Sequence, residues 1–156
     1  DLGFKTFLLN QITALFQIFM SLPKITIQAL VSAPLATVWE RYTQPEHITN
    51  WNFAHESWHC PAASNDMQVG GKYFARMEAR DGSFGFDFEA IYLDISPLKS
   101  YSYEFGGRIC QVGFQEIDGK TEVKVTFDPE TENSLELQQN GWQSILDNFK
   151  NNAERD

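Results

Sequence analysis

Apolar positions along this chain change their period from one segment to the next. Up to residue 19, Phe4, Leu8, Ile12, Leu15 and Phe19 recur every three or four residues, which predicts an amphipathic helix. The β-branched run Lys24 to Val31 predicts a first strand, and "SAPLATVWERYTQPEHITNW" predicts two short helices. Ser32 is the expected N-cap of the first, with Pro34 in its opening turn; Thr43 and Glu46 are the expected capping box of the second, around Pro45. Asn52 to Val69, with Pro61 and the polar group "SNDM", reads as a loop holding at most one irregular edge strand. From Lys72 the period falls to two. Tyr73, Ala75, Met77 and Ala79 alternate with charged neighbours, although Phe74 breaks the pattern, and Phe84, Phe86 and Phe88 alternate against Asp87 and Glu89. Tyr101, Tyr103 and Phe105, then Thr121, Val123, Val125 and Phe127, repeat the device. Turn dipeptides at Gly70-Gly71, Asp81-Gly82, Gly106-Gly107 and Asp118-Gly119, with Pro97, separate these runs. From about Asn133 to near Ala153 the helical period returns, with Leu135, Trp142, Ile145, Leu146 and Phe149 as its apolar stripe and Asn133 with Glu136 as a capping box.

An antiparallel meander with one aromatic face, followed by one long amphipathic helix, predicts an α+β fold. A twisted sheet wraps such a helix and buries both apolar faces at once. Gly141 stands out here, because glycine inside a helix costs about 0.5–1 kcal/mol relative to alanine. The expectation is that Gly141 lets the helix backbone lie close to a neighbouring element, while Trp142 fills the concavity.

Residues 1–19 differ in composition from everything after them. As a membrane span the segment is weak, being short and interrupted by Asn10, Gln11 and Gln17. As a signal peptide it lacks a basic start and a small-residue cleavage site. It is expected to be an appendage, with residues 20–156 forming a single domain. Its stripe needs covering by the domain's own surface or by a second copy of the chain, so both monomer and homodimer are open.

The formal net charge of −9 argues against electrostatic binding to nucleic acid or to anionic membrane surfaces. With two cysteines, Cys60 and Cys110, there is no disulfide framework, and a reducing, cytoplasmic location is expected. His55, His59 and Cys60 in "HESWHC" invite a metal reading, but they fall in the expected loop with no evident fourth ligand, so no metal is assigned. Asp87 and Glu89 sit on the face opposite the phenylalanines and are expected to be solvated rather than catalytic. No phosphate-binding glycine loop, nucleophile elbow or dinucleotide fingerprint occurs, and no cofactor or catalytic residue is assigned.

The segments "APLATVWERYTQPEHITNWNF", "HESWHCPAASNDMQVGGKYFARMEARDGSFGFDFEA" and "NGWQSILDNFK" together resemble the bacterial branch of the activator-of-heat-shock-protein-90-ATPase homologues. That branch lies in the START-like, or SRPBCC, superfamily, and the resemblance spans roughly Lys24 to Asn151. It implies the helix-grip (START/Bet v-like) fold, with an apolar cavity between sheet and terminal helix. Superfamily members bind lipids, hormones and polyketides, and some catalyse reactions. The eukaryotic activators also carry an N-terminal domain that engages the chaperone, a segment without counterpart in these 156 residues.

On that implication, Tyr73, Met77, Phe86, Phe88, Tyr103, Phe114, Trp142, Ile145 and Phe149 are candidates to line the cavity, against the alternative that such stripes are plain core. Trp51, Phe53 and Trp58 are either a lid over its mouth or a satellite cluster under a loop. Three functions are left open. The first is a module binding a small apolar molecule. The second is a co-chaperone-like partner of a heat-shock-protein-90 homologue. The third is a polyketide cyclase or dehydrase in which Tyr103, His55 or His59 acts as acid or base.

Overall fold

The computed structural model describes residues 1–20 and 23–155, with the side chains of 16–20 excepted. The elements are α1 (Leu2–Met20), β1 (Ile25–Val31), α2 (Leu35–Thr43), α3 (Pro45–Trp51), β2 (Trp58–Asn65), β3 (Lys72–Ala79), β4 (Gly85–Ser96), β5 (Ser100–Phe105), β6 (Arg108–Ile117), β7 (Lys120–Phe127) and α4 (Leu135–Ala153). The seven strands form one sheet in the order β1-β7-β6-β5-β4-β3-β2, with every neighbouring pair antiparallel. Consecutive strands pair from β2 to β7, while β1 reaches the far edge and pairs with β7. The two short helices fill the connection between the edges.

Alternation decides the two faces. In β1, β7 and β5 every second residue is buried, so Ile25, Ile27, Ala29 and Val31, then Thr121, Val123, Val125 and Phe127, then Tyr101, Tyr103 and Phe105 all point inward. The partners across each ladder share that face: Ile27 opposes Val125, Val125 opposes Val112, and Tyr103 opposes Cys110. The outer face is charged. Arg76 bridges Glu78 at 2.9 Å and Asp87 at 3.1 Å, and Lys72 meets Glu89 at 2.9 Å. Asp87 and Glu89 are therefore surface partners of cations on β3.

The stripe of α4 packs into the sheet's concave side. Leu146 and Phe149 are buried, and Phe149 meets the rings of Tyr42 and Trp51 edge-on at 4.8 Å and 5.0 Å. Each fully buried residue of this size contributes roughly 1.5–3 kcal/mol. Asn148, off the stripe, donates to the carbonyls of Trp51 and Phe53 at 2.8 Å and 3.4 Å, tying α4 to the end of α3. Leu135 lies outside the packed part of the stripe and is exposed.

Four local expectations need correction. The N-cap of α4 is Ser134, whose hydroxyl accepts from the Leu137 amide at 3.1 Å; Asn133 instead donates to Glu130. Pro34 occupies the cap position of α2, and the Ser32 amide donates to Glu154 Oε2 at 2.8 Å. Gln44 caps α3, because Thr43 still belongs to α2 and its hydroxyl donates back to the Trp39 carbonyl at 2.7 Å. At Gly141 an added Cβ meets nothing within 4 Å, so close approach of the backbone is not the reason for that glycine.

Along α1, Phe4, Leu8, Ile12 and Leu15 are all exposed. The side chain of Phe19 lies outside the described residues. Among the described residues, no helix is long and apolar enough to cross a membrane.

Candidate functional site

Between the concave face of the sheet and α4 lies a cavity of about 280 Å³. That is near the lower end of the range for small-molecule sites, roughly 300–1,000 Å³. Its wall is built by the inward positions of six strands. β3 supplies Tyr73 and Met77, β4 supplies Phe86, Phe88 and Tyr92, β5 supplies Tyr101 and Tyr103, β6 supplies Arg108, and β1 and β7 supply Ile27 and Val125. Trp142, Ile145 and Leu146 of α4 form the opposite side; Tyr42, Trp51 and Asn52 come from α2 and the end of α3, and Asn65 from the end of β2.

The choice of aromatic residue differs between wall and core. All five tyrosines of the chain stand on this wall, whereas of the thirteen phenylalanines only Phe86 and Phe88 do so among the described residues. The tyrosine rings touch in series. Tyr73 lies 6.0 Å from Tyr103, Tyr103 lies 6.1 Å from Tyr101, and Tyr92 crosses Tyr101 edge-on at 5.6 Å. A phenol has an apolar body and a polar tip, so the wall is greasy in bulk but carries hydroxyl donors at its surface.

The Tyr92 hydroxyl is committed within the protein. Tyr92 donates to Asn65 Oδ1 at 2.6 Å, and Asn65 Nδ2 donates to the Thr43 carbonyl at 2.8 Å. Burial pushes the phenols of Tyr42, Tyr73, Tyr92, Tyr101 and Tyr103 all upward, away from ionisation. Burial likewise pushes the Cys110 thiol behind them up to about 12. At neutral pH these groups are hydrogen-bond donors rather than bases.

The wall has one charged member among the described residues, Arg108. It is half-buried at the start of β6 and lies over the Phe105 ring at 4.3 Å. Arg108 and Phe86, the latter 43% exposed, mark the end of the sheet that carries the β3–β4 and β5–β6 turns.

Of the sequence candidates, Trp51, Tyr73, Met77, Phe86, Phe88, Tyr103, Trp142 and Ile145 line the cavity. Four do not. Phe149 is fully buried behind it, against Tyr42 and Trp51, and Phe114 sits in the core against Trp39 and Tyr42 at 5.0 Å and 5.6 Å. Trp58 packs with Phe84 and Phe86 at the sheet's end, 6.0 Å and 6.2 Å away, half-buried against the main core. Phe53 faces Arg80, whose guanidinium lies 5.9 Å from its ring centroid. Tyr92, Tyr101 and Val125 continue alternations already visible in the sequence. Arg108 shares the parity of Cys110 and Val112, but a charge beside Gly106-Gly107 reads as a turn residue. Tyr42, Asn52 and Asn65 carry no periodic signal that marks them.

The "HESWHC" group does not converge. His55 is exposed and pairs with the Ser57 hydroxyl at 2.8 Å, His59 lies 3.4 Å from Glu78 on the outer face, and Cys60 is buried on the inner one. Both cysteines are buried and unpaired. Among the described residues, no three His, Cys, Asp or Glu side chains gather as a ligand set.

A curled seven-stranded antiparallel sheet closed over a C-terminal helix, with short helices after its first strand, defines a helix-grip protein of the START-like (SRPBCC) class. Residues 32–154 match the family described as "Activator of Hsp90 ATPase homolog 1-like protein", and the chain belongs to that family. Among solved structures, it is similar to an AHSA1-like protein from Aeromonas hydrophila at 38% identity and a TM-score of 0.80, covering 85% of this chain and 92% of that one. A Cytophaga hutchinsonii protein is 40% identical with a TM-score of 0.74, covering 84% and 92%. A Chromobacterium violaceum protein at 22% identity and a TM-score of 0.76, covering 86% and 99%, shares the fold. A comparison with curated proteins found no match.

Proposed function

We propose that this protein is a carrier or sensor that holds one small molecule, apolar in body, in the cavity between sheet and α4. The observation that carries this reading is the placement of every tyrosine of the chain on the cavity wall. Phenylalanine fills space equally well and avoids burying a hydroxyl, which costs free energy without a partner. Hydroxyls on a wall are useful when an occupant brings acceptor oxygens. Binding is favoured over acid–base catalysis because, among the described residues, no histidine or carboxylate stands on the wall. His55 and His59, the acid–base candidates from the sequence, stand outside the cavity.

Native mass spectrometry of the protein from its own host, followed by extraction and identification of bound small molecules, tests the reading. A defined adduct of an apolar compound is the expected result. A clean apo mass, unmoved by a panel of lipid, aromatic and polyketide compounds, overturns it. Family membership supports a second reading, partnership with a heat-shock-protein-90 homologue. Co-purification of that chaperone with the tagged protein supports it, and stimulation of the purified chaperone's ATPase separates it from simple carriage.

A further inference from the structure

Strand alternation puts Arg108 on the same face of β6 as Cys110 and Val112, the concave one. Its cross-strand partner is Phe105, which is buried on that face and carries the guanidinium over its ring. A cation on an otherwise uncharged wall is costly unless it has a partner, all the more noticeable where the whole chain carries a net charge of −9. Among the described residues it makes one hydrogen bond: Nη1 donates to the Asp128 carbonyl at 3.3 Å. Among the described residues, no carboxylate oxygen comes within 4.0 Å of the guanidinium.

The nearby acids Asp128 and Glu130 feel the Arg108 charge but do not pair with it, and their hydrogen bonds go elsewhere. The Asp128 carboxylate accepts from Lys24 Nζ at 2.6 Å and from the Ile109 amide at 2.9 Å. Glu130 accepts from the Asn133 side chain at 2.8 Å. Arg108 is thus fixed by stacking and one carbonyl, and most of its five N–H donors have no partner among the described residues.

We propose that Arg108 binds the carboxylate of the cavity's occupant, so that the ligand class is small monocarboxylic acids with an apolar body. The acid end lies toward the β5–β6 turn and the body runs along the tyrosines. This inference rests on the ligand-binding reading above. The planar guanidinium fork matches a carboxylate in a bidentate pair. One fixed cation balances a single negative charge, whereas a phosphate monoester would bring a second charge to a wall with nothing to meet it.

The test is isothermal titration of the full chain with matched pairs: 2-naphthoate against 2-naphthalenemethanol, and octanoate against octanol. At least one acid is expected to bind about tenfold or more tightly than its alcohol, the range of a charge-assisted hydrogen bond. Arg108→Gln abolishes that preference and Arg108→Lys retains part of it. Equal binding of acid and alcohol by the wild type, or a preference that survives Arg108→Gln, overturns the assignment and leaves the cavity reading standing. Failure of both pairs to bind at all overturns both. If Arg108→Gln does not fold, the Arg108 Nε–Hε resonance of the wild-type protein decides. It is expected to move with naphthoate and not with the alcohol, and an unmoved resonance overturns the proposal.

Discussion

The indole of Trp142 lies face to face with the phenyl ring of Phe127, centroids 3.8 Å apart and planes 12° from parallel. This stack joins the middle of α4 to the floor of the sheet, and Phe105 closes on the same indole at 5.7 Å. One side of Trp142 therefore belongs to the core and another to the cavity wall. Trp142→Ala is expected to destabilise the protein by roughly 2–4 kcal/mol, somewhat below the full cost for a wholly buried tryptophan. Trp142→Phe keeps much of the stack and should cost about half as much or less. Urea denaturation of the two variants measures this. A cost below about 0.5 kcal/mol for the alanine variant would mean that α4 does not depend on the stack.

Tyr92, Asn65 and Thr43 form a short relay across three elements. The Tyr92 hydroxyl donates to Asn65, and Asn65 donates to the last carbonyl of α2. Tyr92→Phe leaves the Asn65 oxygen without its donor, at an expected cost of about 1–2 kcal/mol. Asn65→Ala removes both bonds. Because the residues share one bond, the double variant should fall short of the summed single costs by on the order of 1 kcal/mol. Strict additivity in a denaturant cycle would show that the relay is not a unit.

The wall also predicts how the protein meets alkali. All five tyrosines have phenols raised by burial, and the thiols of Cys110 and Cys60 are raised chiefly by the same cause. A raised folded value means that the native state keeps its proton after the unfolded chain has lost it. The stabilisation is fully present below the unfolded values, 9.0 for the thiols and 10.0 for the phenols, and drains away as pH rises above them. Each group then contributes a slope of about 1.4 kcal/mol per pH unit. Stability should fall steeply from about pH 10, and tyrosinate absorbance at 295 nm should rise together with loss of far-ultraviolet circular dichroism. Tyrosinate appearing well before unfolding would show that the phenols are in contact with water in the resting protein.

The sheet was legible because burial on one side forces a period of two. Tyr101, Tyr103 and Phe105 could not sit otherwise without exposing three rings. The inward half of the cavity wall followed from the same rule, as Tyr73, Met77, Phe88 and Tyr103 show. Helix caps were less legible. Asn133, Ser134 and Thr43 all bear cap-forming oxygens, and only backbone angles single out Ser134, with φ −62° and ψ 153°. Tertiary contacts such as Asn65 with Tyr92 join residues far apart in the chain and leave no local trace. Phe114 and Phe149 have the same pattern as wall residues, yet α2 and α3 cover them, and the curl of the sheet that decides this is not written in any one strand.

Gly141 is the clearest misreading, and it yields a prediction of its own. It lies in the interior of α4, where glycine leaves the unfolded chain more freedom than alanine does. A Cβ at this position meets no atom within 4 Å, so alanine introduces no clash, and the residue's φ is not among the positive values found at Gly70, Gly82, Gly106, Gly107 and Gly119. Gly141→Ala should therefore stabilise the protein by about 0.5–1 kcal/mol. For a chain of this size that corresponds to a Tm higher by roughly 1–4 °C, measurable by calorimetry. The substitution also stiffens the turn of α4 that carries Trp142. If ligand entry needs that turn to loosen, association of 2-naphthoate will slow while the equilibrium affinity holds, which stopped-flow tryptophan fluorescence resolves. A lower Tm instead would mean that α4 leaves its regular path at Gly141 in solution, and that the glycine serves the backbone after all.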